Sequence, residues 1–129
     1  MEQVRQYSLS MRCFMDARFV SLNLDEAIKR MGDREIFLEI SRYFASRLPE
    51  ALEELGLALE TGNMAEATRY AHSMKSNCSA MGADQLHEQC RDLEGICRSG
   101  AMEDARKLYA ELAPRLLALR DALLALQRQ

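Results

Sequence analysis

From residue 24 onward, apolar residues recur three and four positions apart. The first four runs each stop at a glycine: Gly32, Gly62, Gly82 and Gly100. A helix C-terminus often closes on left-handed backbone, which glycine adopts without a Cβ clash. The starts agree with the stops. Asn23 with Glu26 and Asn63 with Glu66 read as capping boxes, and Asp33 as the cap of the run after it. The pattern predicts helices near 24–31, 34–60, 64–81, 84–98 and 102–127. Pro49 and Pro114 fall inside the two longest, and each is expected to kink its helix or begin a new one. No segment alternates convincingly at the strand period. Connections of one to three residues between long helices imply antiparallel neighbours. The predicted fold is all-α: an up-down antiparallel four-helix bundle with a short additional N-terminal helix, occupying residues 22–129. Residues 1–21 are expected to form an extension, partly ordered or packed on the bundle through Phe14, Phe19, Val20 and the adjoining Leu22. The first ten of them are expected to be disordered.

Length and charge narrow the functions. A chain of 129 residues is expected to be one domain. The formal net charge is −3 with both signs interspersed, so no nucleic-acid partner is expected. Charges interrupt the N-terminal stretch MEQVRQYSLSMRCFMDARF too often for a signal peptide, and no apolar run is long enough for a bilayer. The expected address is the cytoplasm, with no membrane partner. Cys13, Cys78, Cys90 and Cys97 form no C-x-x-C pair and read as free, buried thiols.

The segment ATRYAHSMKSNCSAMGA (67–83) carries the candidate chemistry. At about 100° per residue, Met64, Ala67, Tyr70, Ala71, Met74, Cys78 and Met81 share one side of the helix. His72 falls opposite, beside Ala65, Thr68, Arg69, Lys75, Ser76 and Ser79. Its small neighbours let a flat partner approach the imidazole. Arg69 and Lys75 supply positive charge for anionic oxygens placed on the ring. An exposed neutral imidazole has a ring nitrogen free to attack. These features describe a nucleophile for phosphoryl groups. Taken singly, each residue also reads as ordinary surface. The short turn at 82–83 lies about ten residues from both His72 and Glu94, so Glu94 can reach Nδ1 of His72 and leave Nε2 free. Glu94 is expected at the edge of a stripe made by Leu86, Cys90, Leu93 and Cys97. Arg98, one turn on, can pair with Glu94 or with phosphate, and a plain surface Glu–Arg pair competes with both roles. His87 reads as surface.

The stretch from Ala71 to Glu94, AHSMKSNCSAMGADQLHEQCRDLE, closely resembles the histidine-containing phosphotransfer (HPt) domain. The family pattern is roughly A-H-x-L-K-G-S-x-x-x-x-G-A-x-x-L-x-x-x-C-x-x-L-E. His72, Lys75, Gly82, Ala83, Leu86, Cys90, Leu93 and Glu94 match it as they stand. Residues 24–62 resemble the family's first two helices, and the resemblance covers about residues 22–127. Ser76 stands where the family has a glycine thought to leave room for the partner. Met74 replaces leucine, a core change of similar volume.

The resemblance implies a phosphorelay carrier. His72 would accept a phosphoryl group from a receiver-domain aspartate and pass it to a second receiver's aspartate. Lys75 would stabilise phosphate charge and Glu94 would orient His72. The implied partners are receiver domains of response regulators and hybrid histidine kinases. Mg²⁺ is expected on the receiver, with no cofactor in this chain. No Walker-type or kinase glycine-rich loop is present, so a carrier without ATP-binding or autokinase activity is expected. The docking surface is expected to comprise Thr68, Arg69, Ser76, Ser79 and Arg98, with Ala27, Ile28 and Met31 from the first helix. Core capping also accounts for those last three. A monomer is expected. The alternatives are a degenerate bundle that docks receivers without phosphotransfer, a phosphoacceptor fragment of a chemotaxis-type kinase, and a metal or redox module. The last is disfavoured because the cysteines of the bundle fall on core stripes while His72 points away.

Overall fold

The computed structural model describes residues 20–128. The chain forms five helices: α1 (Leu24–Met31), α2 (Arg34–Glu60), α3 (Met64–Ala80), α4 (Asp84–Ser99) and α5 (Met102–Leu126). In the ring of long helices, α3 packs most extensively on α4 and α2 on α5, while α2–α3 and α4–α5 contacts close the bundle. The fold is therefore the expected all-α bundle. The expected contributions of Phe14 and Phe19, and the state of Cys13, lie outside the described residues. Val20 and Leu22 are half-buried and pack against the core.

Helical spacing sets the core. Phe37, Phe44, Ala45, Leu48, Leu52 and Leu55 turn inward from α2. They meet Ala67, Ala71, Met74 and Cys78 of α3, the stripe that the wheel predicts. Leu86, Cys90, Leu93 and Cys97 of α4 and Leu112, Leu116, Leu119 and Leu123 of α5 complete it. Hydrogen bonding to Cys90 and burial both push the Cys78 thiol well above its ordinary range, so it stays a neutral core group.

Neither proline begins a new helix, contrary to one of the two outcomes expected of them. Both α2 and α5 run through, with Pro49 between buried Leu48 and Leu52 and Pro114 between buried Leu112 and Leu116. A proline inside a helix costs about 3 kcal/mol. Burying a leucine contributes about 1.5–3 kcal/mol, so the flanking pair offsets the lost bond.

Two of the three predicted caps form. Asp33 Oδ1 accepts from the Glu35 amide at 2.9 Å, and Asn63 Oδ1 from the Glu66 amide at 3.2 Å. Asn23 makes no side-chain cap. Its backbone N–H instead donates to Gly82 O at 2.8 Å, fastening the start of α1 to the α3–α4 turn. Gly82 has φ +79°, and a Cβ there would lie 2.7 Å from the Asn23 carbonyl oxygen and 3.2 Å from Ala27 Cβ. Only glycine fits this crossing. Arg30 adds a second tether by donating to Ser79 O at 2.9 Å.

Candidate functional site

The site lies where α3 and α4 run antiparallel from the Gly82 turn. His72 is on the solvent side of α3, with 59% of its side chain exposed. Its Nδ1 is 2.9 Å from Glu94 Oε2. A carboxylate accepts, so Nδ1 carries the proton and Nε2 the lone pair.

Glu94 is the hub of the site. It is 3% exposed, deeper than the helix-edge position expected for it. Lys75 Nζ lies 2.8 Å from Oε1, and Arg98 Nη2 donates to Oε2 at 2.8 Å. A wheel gives the angle of a side chain but not how deeply its neighbours cover it. The Lys75 side chain, only 22% exposed, folds down onto the carboxylate. The Glu94–Arg98 pair is accordingly not a plain surface pair, because its acid is buried. The Lys75 hydrogen bond draws the Glu94 carboxyl down to about 2; His72 and Arg98 act the same way, and burial opposes them. Glu94 thus stays ionised at any ordinary pH.

The other expected residues are placed differently from one another. Ser76 is exposed, one helical turn beyond the histidine. Thr68 donates its hydroxyl to Met64 O at 2.8 Å, within its own helix. Arg69 pairs with Glu66 at 2.7 Å and lies 4.7 Å from the Tyr70 ring centroid, so its guanidinium is held toward the α2 side. Ser79, Ile28 and Met31 are half-buried about two turns beyond His72, where α1 crosses the end of α3. Ala27 offers no docking surface. It is 1% exposed because it is pressed against Gly82.

His87 is not free surface either. Its Nδ1 donates to Lys75 O at 3.1 Å, pinning the turn that carries Lys75 to α4.

One feature was missed in the sequence. Ile36, Ile40 and Tyr43 form an exposed apolar stripe on α2, with Tyr43 66% exposed. Ile40 and Tyr43 line a groove with Phe44, Tyr70, Ser73 and Asn77. The groove flanks the His72 face on the side away from Glu94. Its signal was the spacing of 36, 40 and 43, overshadowed by the larger stripe of Phe37, Phe44 and Leu48 on the same helix.

Among the described residues, no group of three or more His, Cys, Asp or Glu side chains could hold a metal ion, and no helix is long and apolar enough to cross a membrane.

Residues 39–129 match the Hpt domain family. The match spans well over half of the chain and includes His72, Lys75, Glu94 and Arg98, so the chain belongs to this family. It is also 26% identical over 81 residues to the phosphorelay intermediate protein rdeA of Dictyostelium discoideum. That alignment covers 63% of this chain and 32% of the relative, so it reaches about a third of the relative's length. No solved structure matches the chain.

Proposed function

We propose that this protein is a phosphorelay carrier whose phosphoacceptor is His72. The observation that carries the reading is the exposed imidazole whose Nδ1–H is held by a buried, permanently ionised Glu94. The lone pair on Nε2 attacks the phosphorus of a receiver's aspartyl phosphate. The new bond is Nε2–P; the bond that breaks joins phosphorus to the aspartyl oxygen, which leaves as carboxylate. The ring becomes an imidazolium, and Glu94 balances that charge. Transfer to a second receiver reverses these steps. Such chemistry depends on alignment and charge stabilisation, for which a fixed ring and nearby cations suffice. Lys75 anchors Glu94 and adds positive charge beside the ring. Mg²⁺ is contributed by the receiver, and the chain acts in the cytoplasm as a carrier without autokinase activity.

Receiver domains, whether of response regulators or of hybrid kinases, dock over Ser76 and the groove of Ile40, Tyr43, Ser73 and Asn77. An apolar stripe beside a charged acceptor suits a partner that presents apolar side chains around a phosphoaspartate. The serine in place of glycine keeps the approach open.

A relay assay tests the proposal. A phosphorylated receiver is mixed with the protein, and a second receiver is added afterwards. Label should appear on the protein and then on the second receiver. Binding without label on the protein would instead favour a docking bundle.

A further inference from the structure

We infer that Arg98, not Lys75, is the cation that leaves Glu94 to bind the phosphoryl group once His72 is phosphorylated. The inference rests on the reading of His72 as phosphoacceptor. A phosphoryl group brings nearly two negative charges and three acceptor oxygens to Nε2. Two cations stand close enough to answer it, and both are already engaged by Glu94.

The two are not equally free. Among the described residues, Lys75 is the one side-chain partner of Glu94 Oε1, whereas Oε2 has two donors, His72 Nδ1 and Arg98 Nη2. Removing Lys75 strands a buried, charged oxygen without a hydrogen bond, which is the costly outcome. Removing Arg98 leaves Oε2 still bonded to the imidazole. That bond strengthens as phosphorylation turns the ring into an imidazolium, since a charged donor then meets a charged acceptor. The phosphorylated ring thereby replaces the charge that Arg98 withdraws.

Position agrees with this order. The Arg98 side chain is 66% exposed and that of Lys75 22%. The backbone of Lys75 is held as well, through the hydrogen bond from His87 Nδ1 to its carbonyl. Arg98 shares an oxygen with His72, so its guanidinium already stands beside the ring. Its planar fork matches two phosphoryl oxygens at once, which an ammonium does not. Arg69, the other arginine near the face, is paired with Glu66 and stacked toward Tyr70.

The test needs no receiver. Phosphoramidate phosphorylates histidine directly: its P–N bond breaks, ammonia leaves, and Nε2–P forms. The full chain, labelled with ¹⁵N in arginine and lysine side chains, is observed before and after treatment, with ³¹P reporting phosphohistidine. The Arg98 guanidinium signals, assigned from the Arg98→Lys spectrum, should shift while the Lys75 ammonium signal stays in place. Arg98→Ala should shorten the phosphohistidine lifetime about fivefold, with Arg98→Lys recovering part of it. Phosphohistidine with Lys75 shifting and Arg98 still, or with neither moving, overturns the inference and leaves the carrier reading intact. No phosphohistidine at all removes the carrier reading, and the inference falls with it.

Discussion

His72 Nδ1 and Glu94 Oε2 lie 2.9 Å apart although 22 residues separate them in the chain. The Gly82 turn brings them level, with each residue about ten positions from it along an antiparallel helix. The pair fixes which ring nitrogen is protonated and leaves the lone pair on Nε2.

Replacing the carboxylate with an amide tests that pairing. Glu94→Gln keeps the shape and an acceptor oxygen but loses the charge that balances the imidazolium. Transfer from a phosphorylated receiver should slow about tenfold, equivalent to ~1.4 kcal/mol on the barrier. Single-turnover rates check this, and an unchanged rate removes the orienting role.

Acid should loosen the same hub. The folded-state Glu94 carboxyl is held down to about 2 against an ordinary value of 4.5. A depressed folded value means that its stabilisation is fully present above about pH 4.5 and lost as pH falls through 2. After allowance for solvent screening at the exposed Arg98 end, the contribution is about 2 kcal/mol. Denaturant unfolding should show a steeper loss of stability in this window for wild type than for Glu94→Gln, whose remaining carboxylates, Glu66 among them, still titrate there. Parallel curves contradict the assignment.

Docking and chemistry should separate at Ile40. Ile40→Asp places a charge in the groove on α2 without touching His72. Receiver affinity should fall about tenfold, or ~1.4 kcal/mol. Phosphorylation by phosphoramidate should be unchanged. Titration calorimetry with a receiver reads the first and ³¹P spectra the second. Full affinity in the variant would move the docking surface elsewhere.

Gly82→Ala should destabilise the fold by about 2 kcal/mol, because φ +79° disfavours any Cβ and this one would meet the Asn23 carbonyl. The thermal midpoint checks it, and a wild-type midpoint would contradict the tight crossing of α1 over the turn.

Much of the bundle was legible because local signals and packing agree. The four glycines stop the helices in left-handed backbone, and the apolar stripes of α3 and α4 face inward. The exposure of His72 and the reach of Glu94 followed from helical angle and from counting along the turn. What stayed hidden depends on neighbours distant in sequence. Asn23 looked like a cap, but its backbone is claimed by Gly82. Ala27 looked available, but the same turn covers it. The depth of Glu94 depends on how the Lys75 stem lies, which no wheel contains. Pro49 and Pro114 warned of a break that leucines on both sides override.

The most direct test of the central claim is label transfer from a phosphorylated receiver to wild type and to His72→Gln. Acid-labile, base-stable label should appear on wild type alone. Label on both proteins would place the acceptor elsewhere, and label on neither would contradict the carrier function.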